Sequence, residues 1–271
     1  MPEKPEVITV ANSLKKHLLE RKIIKVDVLF ANIILKDTPE VFSSKIVNQT
    51  IHNITTRGKW IVFSLDTDYL FVHLRMEGKF LYRGKNDPKS VHEHVIFTLD
   101  NDIELRYMDT RKFGKMIVLK KEDAFKTPPI SELGYEFDDT LLTSTYLMEC
   151  FNRKTMPIKT ALLDQHIIAG IGNIYDDEIL YRSHISPFKK ANSLTKEELE
   201  DIIKNTKIVL EKAIKLGGTT IRSYSSEEGV SGKFQNELQV HGKNSCPVCK
   251  TLLIKTRING RGTFYCPTCQ K

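Results

Sequence analysis

Long apolar runs are missing from this sequence: none of its 271 residues falls in a stretch of membrane-spanning length, and no secretory leader pattern is visible. Both absences predict a protein of the reducing cytosol rather than one inserted into a membrane or exported. Internal repeats and low-complexity tracts are also absent, which excludes solenoids and compositionally disordered arrays. Cysteine is scarce, with five residues in all. Acidic residues disappear from the end of the chain: Lys243 to Lys271 contains Lys243, Lys250, Lys255, Arg257, Arg261 and Lys271 with no Asp or Glu. With a formal net charge of +7, this uneven distribution points to a polyanion as partner.

Four of the five cysteines form the pattern C-x2-C-x16-C-x2-C at Cys246, Cys249, Cys266 and Cys269. Two such knuckles about 15 to 20 residues apart match the tetrahedral zinc template, with a hairpin between them. Paired disulfides are the alternative, disfavoured in a reducing compartment. Four thiolates leave no open coordination position, so the expected Zn2+ is structural, one per chain, and no organic cofactor is expected. Cys150 falls in a helix-like stretch and reads as a buried hydrophobe.

Val7, Val10, Ala11, Leu14 and Leu18 recur at helical spacing, which predicts a helix from Glu6 to Glu20, with Pro2 and Pro5 stiffening its entry. Short β-rich runs follow at Ile23 to Phe30, Trp60 to Leu65, Leu70 to Leu74, Lys79 to Tyr82, His94 to Leu99, Ile103 to Tyr107 and Lys115 to Leu119. Thr127-Pro128-Pro129 breaks this pattern. Helices dominate beyond it: Thr195 with Glu198 forms a capping box, and apolar residues continue at helical spacing until Gly217-Gly218. The expected fold class is α+β, with a sandwich or flattened barrel, a helical region and a zinc hairpin. The expected divisions are residues 1–126, a 127–135 linker, 136–236 and 237–271.

The segment Ala169-Gly170-Ile171-Gly172-Asn173-Ile174-Tyr175 superficially matches a dinucleotide loop but puts Tyr175 at the third glycine position, with no strand-helix-strand unit around it. A tight turn feeding a helix N-terminus fits better, its free amides and Asn173 offering a phosphate site. Close helix packing explains the glycines equally well.

Several motifs stand in one order along the chain: Pro2-Glu3-Lys4-Pro5-Glu6-Val7, Arg57-Gly58-Lys59, His73-Leu74-Arg75-Met76-Glu77-Gly78, Asp109-Thr110-Arg111-Lys112-Phe113-Gly114, the Gly170-to-Tyr175 turn, and Asn259-Gly260-Arg261-Gly262-Thr263-Phe264. In them the sequence resembles, nearly end to end, the formamidopyrimidine-DNA glycosylase family of bacterial repair enzymes. That resemblance implies an N-terminal β-sandwich with a leading helix, a C-terminal helix-two-turn-helix domain and a β-hairpin zinc finger. It also implies a monomer acting on damaged duplex DNA in the cytoplasm, associated with the nucleoid when on DNA.

The implied activity is excision of oxidised purines, 8-oxoguanine and formamidopyrimidines, followed by β and δ elimination at the abasic site. An amine must attack the sugar's anomeric carbon, and the family uses the N-terminal proline, here Pro2, freed when Met1 is removed. An α-amine titrates near about 7.7 to 8.0 against about 10.4 for lysine, so far more of it is neutral at physiological pH. Glu3 resembles the family acid/base and Glu6 a supporting carboxylate. Lys59 matches a phosphate-contacting proton donor, and Arg261 the phosphate-gripping arginine of the hairpin tip. Met76, Arg111 and Phe113 match the groups that fill the gap left by a flipped nucleotide, although Met76 and Phe113 by themselves read as core residues. His92, Arg111, Lys154 and Asn173 match DNA contacts, whereas His73 and His94 also read as structural histidines. Glu77 and the loop residues Thr219, Thr220, Ile221, Arg222, Ser223 and Tyr224 match lesion recognition; for the loop, an ordinary connector is the plainer alternative.

Two other functions are consistent with parts of this pattern. The related endonuclease VIII group shares the proline, glutamate and lysine but takes oxidised pyrimidines, while the Met76 and Arg111-x-Phe113 wedge favours the purine reading. A noncatalytic DNA-binding module would keep Asn173 and Arg261 and have no use for Pro2, Glu3 or Lys59. Lys4 and Ile8 depart from the family's usual leucine and glutamate beside the nucleophile.

Overall fold

A computed structural model of the chain describes residues 1–219 and 232–271. These residues form two compact units. One contains Met1–Pro2 and Glu6–Glu132; the other contains Glu3–Pro5, Leu133–Thr219 and Lys233–Lys271. Among the described residues no helix is long and apolar enough to cross a membrane.

The first unit is built on two four-stranded antiparallel sheets. Strands β1 (Ile23–Val28), β6 (Glu93–Leu99), β7 (Ile103–Met108) and β5 (Lys79–Gly84) lie in that order in one sheet. Strands β2 (Asn53–Arg57), β3 (Trp60–Ser64), β4 (Asp68–His73) and β8 (Lys115–Lys120) form the other. Val26, Val95, Phe97 and Leu105 from the first sheet share a buried cluster with Ile54, Ile61, Phe63, Val72 and Val118 from the second, as expected for a sandwich core. Helix α1 (Lys4–Leu18) buries Val7, Val10, Ala11 and Leu18 in that core.

The sequence pattern placed α1 two residues too late because Pro5 reads as an entry residue. A proline in the first turn lacks only a donor the helix leaves unused, so α1 includes it. Strand β2 and helix α2 (Pro39–Ile46) are additions to the expected elements. Strand β2 alternates too weakly to stand out, burying only Ile54 completely. Thr38 caps α2 by accepting from the Val41 amide, with Pro39 in its first turn.

In the second unit, α3 (Ser144–Phe151), α4 (Ile158–Leu162), α5 (Asn173–Arg182) and α6 (Lys196–Lys215) surround a second apolar cluster that includes Leu147, Ile158, Tyr175, Ile179, Ile202 and Leu210. The expected capping box is present at α6: Thr195 accepts from the Glu198 amide while Glu198 accepts from the Thr195 amide. Cys150 in α3 is only half-buried. Strands β9 (Ile254–Ile258) and β10 (Arg261–Tyr265) pair as a hairpin.

Helix α5 is buried from Tyr175 through Tyr181, including Asp176, Asp177 and Glu178. Consecutive buried acids are costly unless matched by donors or cations. Glu178 meets that requirement by accepting from the amides of Gln239, Val240 and His241 at 2.8, 3.0 and 2.8 Å, which fixes the segment leading to the hairpin. Glu178→Ala strands these amides and is expected to destabilise the fold by about 3 kcal/mol. Equilibrium denaturation checks this, and an unchanged midpoint would contradict it.

Candidate active site

The start of α5 organises the candidate site residues of the second unit. Gly172 precedes the helix, and Glu3 places its carboxylate on the exposed amides: Ile174 N–H donates to Oε1 at 3.0 Å and Tyr175 N–H to Oε2 at 3.4 Å. The helix dipole adds to this anion-binding geometry. A β-carbon on Gly172 would lie 2.2 Å from the Glu3 carboxyl carbon, so only glycine leaves room for the contact. The amides that the sequence offered to a phosphate are thus occupied by the protein's own carboxylate. Asn173 donates from Nδ2 to the Gly262 carbonyl at 2.9 Å, while its Oδ1 is buried without a hydrogen-bond partner.

Lys4 gains a structural role from the same junction. Its amide donates to the Gly170 carbonyl at 3.1 Å, and its buried ammonium pairs with Glu136. This departure from the family pattern is therefore a compensated charge rather than an unpaired one.

Behind the helix end, Lys159 is fully buried and lies 2.7 Å from Asp177 and 3.4 Å from Asp176. Burial pulls its pKa down, but the two carboxylates outweigh burial and leave it above the usual lysine value. Asp177 also accepts from the Phe264 amide at 3.2 Å and lies 2.7 Å from His241 Nδ1. These contacts join α4 and α5 to the zinc hairpin. Neither Lys159 nor this acidic run carries a recognisable spacing, so no sequence signal marks them.

The β9–β10 hairpin closes on Asn259 and Gly260, with φ angles of 45° and 78°, and pairs Arg261 with Ile258. This two-residue turn needs positive φ at both positions, which Asn-Gly supplies. Arg261 is consequently the first residue beyond the tip and is exposed. At the other end of the hairpin, the Sγ atoms of Cys246, Cys249, Cys266 and Cys269 all lie within 4.8 Å of one another. None is in a disulfide. The Cys246–Cys269 and Cys249–Cys266 sulfur separations are 3.8 and 3.4 Å. A Zn–S bond of about 2.3 Å requires a tetrahedral edge of about 3.8 Å, so four thiolates in this arrangement fit one structural zinc. The Tyr181 hydroxyl, 3.1 Å from Cys246 Sγ, supports the ligand orientation.

Pro2, Glu6 and Lys59 belong to the first unit and are all buried. Lys59 follows Gly58, whose φ of 54° permits the tight turn from β2 to β3. Trp60 on β3 opposes His73 on β4, and their rings meet edge-on at 5.0 Å. His73 Nδ1 accepts from the Arg75 amide at 3.0 Å. Burial, aided by the Arg75 and Lys59 charges, lowers its pKa to about 3, so it is a neutral, structural histidine at physiological pH. His94 is likewise buried, its Nε2 2.8 Å from the Asp109 carbonyl, whereas His92 is partly exposed.

Met76, Arg111 and Phe113 do not enter the core. Met76 is partly exposed, Phe113 is 48% exposed, and the Arg111 guanidinium lies 4.7 Å from the Phe113 ring centre. A hydrogen bond from Thr110 to Glu77 ties the two turns together. Asp109 holds the second turn: its carboxylate accepts from the amides of Arg111, Phe113 and Gly114 at 3.0, 2.9 and 2.8 Å. Sequence reasoning missed Asp109 as an organising residue, although an aspartate just before a turn is a recognisable signal. Arg75 and Lys112 sit beside the wedge residues at φ values of 55° and 59°, sparsely populated conformations for non-glycine residues.

Lys154 in the second unit is partly exposed and lies 3.8 Å from Asp164. Thr219 is buried, and Thr220, Ile221, Arg222, Ser223 and Tyr224 lie outside the described residues.

A β-sandwich unit, an anion-binding helix start and a four-cysteine hairpin define the class of helix-two-turn-helix proteins with a zinc finger. The chain belongs to the formamidopyrimidine-DNA glycosylase family. Residues 1–116 match the formamidopyrimidine-DNA glycosylase N-terminal domain, 133–225 its H2TH domain, and 245–271 the zinc finger found in FPG and IleRS. The formamidopyrimidine-DNA glycosylase of Oceanobacillus iheyensis is 43% identical over 273 residues, covering 100% of this chain and 98% of that protein. The Lactococcus lactis Fpg in complex with DNA containing an abasic site is 36% identical, with a TM-score of 0.92 and 99% of both chains covered. The wild-type Lactococcus lactis enzyme with DNA containing N7-benzyl-Fapy-dG is 35% identical, with a TM-score of 0.92 and both chains covered completely.

Cys249→Ala is expected to remove the bound zinc and weaken DNA binding; metal analysis showing an unchanged content of one zinc per chain would remove the metal assignment. His73 makes a second prediction. The unfolded chain protonates this residue below pH 6.5, while the folded chain resists until about pH 3. Its share of stability is therefore intact above pH 6.5 and falls as the pH drops through that window. His73→Gln should flatten the loss of Tm between about pH 7 and pH 5, and an unaltered slope would contradict the assignment.

Proposed function

We propose that this chain is a bifunctional DNA repair enzyme that excises oxidised purines, 8-oxoguanine and formamidopyrimidines, from duplex DNA and then cleaves the abasic strand. The observation that carries this reading is the Glu3 carboxylate fixed on the α5 amides immediately after Pro2 in the chain. The named activity of its relatives and the abasic and Fapy-dG DNA bound by its structural counterparts support it. The working protein acts as a monomer in the cytoplasm, joining the nucleoid when bound to DNA. Its functional divisions are residues 1–126, the 127–135 linker, 136–236 and 237–271.

After Met1 removal, the Pro2 nitrogen attacks the anomeric carbon and the damaged base departs with the glycosidic electron pair and a proton. Glu3 donates a proton to the sugar-ring oxygen, opening the ring to a proline iminium. The iminium acidifies the adjacent carbon; its deprotonation expels the 3′ phosphate, and a second elimination expels the 5′ phosphate. Glu6 supports the first carboxylate. Lys59 contacts phosphate and serves as proton donor in the first elimination. Arg261 grips the phosphates around the flipped nucleotide and stabilises charge in the second elimination.

Met76, Arg111 and Phe113 fill the gap in the duplex, and the exposed Phe113 ring is suited to replacing lost stacking. His92, Lys154 and Asn173 join Arg111 in contacting DNA, while Glu77 and Thr219 to Tyr224 recognise the lesion. Zn2+ holds the hairpin through Cys246, Cys249, Cys266 and Cys269, and no chemical step passes through it.

Borohydride reduction during reaction with an 8-oxoguanine duplex should trap a DNA adduct at Pro2, located by peptide mass. Pro2→Gly should lower trapping at least about tenfold if the prolyl amine is favoured as nucleophile. Adduct formation only with an oxidised pyrimidine would move the assignment to the endonuclease VIII group. Tight DNA binding without any adduct would leave a noncatalytic module.

A further inference from the structure

The three groups assigned to the gap in the duplex stand on two turns of the first unit, and both turns contain strained backbone. Met76 follows Arg75 at a φ of 55°, and Phe113 follows Lys112 at 59°. Left-handed conformations of this kind persist at non-glycine residues only where the surroundings over-determine them. From outside, the exposed Thr110 ties one turn to the other through its hydrogen bond to Glu77. From inside, the fully buried Tyr107 reaches both.

Tyr107 lies on β7 opposite Phe80 of β5, whose ring it meets edge-on at 5.5 Å. A β-carbon at Gly78 would lie 2.2 Å from the phenolic oxygen, and one at Gly114 would lie 1.8 Å from it. The hydroxyl therefore fills the space that a side chain would take at the end of each turn. The same oxygen is 3.5 Å from Asp109 Oδ2, the atom that also accepts from the Phe113 and Gly114 amides. Burial, with the Asp109 carboxylate beside it, pushes the Tyr107 pKa above the usual tyrosine value, so the hydroxyl stays protonated and donates. Apolar packing against Phe80 needs only the ring. The buried hydroxyl is accounted for by the two turns it joins.

We propose that Tyr107 is a positioning residue whose hydroxyl locks the Met76 turn and the Arg111-to-Phe113 turn in one register, so that the three gap-filling groups enter the duplex as a unit. This inference rests on the glycosylase reading, which supplies the gap to be filled. Turns ordered before binding lose less conformational freedom when they insert. The lock therefore acts on extrusion of the damaged nucleotide. Capture of undamaged DNA, which is governed by phosphate contacts, does not depend on it.

The test is single-turnover base excision from an 8-oxoguanine duplex by the full-length, Met1-processed enzyme in saturating excess, with Tm measured in parallel. Tyr107→Phe removes one oxygen and keeps the ring. It should slow excision about tenfold while changing affinity for undamaged duplex by less than about twofold. In the Phe113→Ala and Met76→Ala backgrounds, where the wedge is already broken, the same substitution should cost less than about twofold. Borohydride trapping of Pro2 on a single-stranded abasic oligonucleotide, which has no opposing strand and no gap to fill, should be unchanged.

Equal losses in all three backgrounds, or reduced trapping on the single strand, would make Tyr107 a general support of the fold and overturn the proposal. An excision rate unaltered by Tyr107→Phe overturns it as well. If Tyr107→Phe does not fold, Thr110→Val cuts the outer tie from an exposed position and passes through the same backgrounds; additive losses there overturn the claim that the turns act together. Each of these results, with active wild type, removes this inference alone. Failure of the wild-type enzyme to form a trapped Pro2 adduct overturns the glycosylase reading and the inference with it.

Discussion

The second unit depends on the neutralisation of acid within α5. Glu3 occupies amides at the helix start, Asp177 takes Lys159 and His241, and Glu178 takes the backbone of Gln239 to His241. Each contact ties a different segment to one buried helix, so electrostatic satisfaction also determines where the hairpin begins. Apolar packing surrounds this arrangement but does not by itself specify the direction of the chain. The Asn173 contact with Gly262 adds a tie close to Arg261. A short buried helix is therefore both a structural hub and the support for candidate chemistry.

The two units display their functional groups by different means. In the first, tight turns and left-handed residues raise Arg111 and Phe113 from a sandwich while Asp109 gathers the loop amides beneath them. In the second, metal geometry and hairpin register place Arg261. Arg111 and Arg261, expected to meet DNA, are exposed, whereas Glu3 and Glu6 are drawn into the interior. That separation explains how a chain with net charge +7 combines phosphate attraction with an acidic reaction environment.

The sandwich strands, α6 and the zinc hairpin were legible because each announces itself locally. The continuous run Val95-Ile96-Phe97-Thr98-Leu99, rich in β-branched and aromatic residues, marks β6, the Thr195–Glu198 box marks α6, and cysteine spacing together with Asn259-Gly260 marks the hairpin. Strand β2 lacked strong alternation. Helix α5 was harder to read for the opposite reason, since burial on every face removes the contrast that reveals an amphipathic helix. The Pro2-Glu3 start and the ordered family motifs pointed to the candidate site, but Lys159 and Asp176 acquire meaning only through partners brought together by folding. Occupation of the Ile174 and Tyr175 amides was equally hidden, because their acceptor is 171 and 172 positions away in the chain.

The close fit of Gly172 to Glu3 also limits how the sequence can change. A side chain at position 172 would invade the carboxyl group before altering anything else in the helix. Conversely, loss of the carboxylate would leave a cavity lined by exposed amides, where enlargement of the glycine becomes sterically permissible. The two sites are therefore bound in mutational order: position 172 can diversify only in a lineage that has already relinquished the acid. Among descendants that retain the reaction, a glycine far along the chain should be as immovable as the glutamate it accommodates.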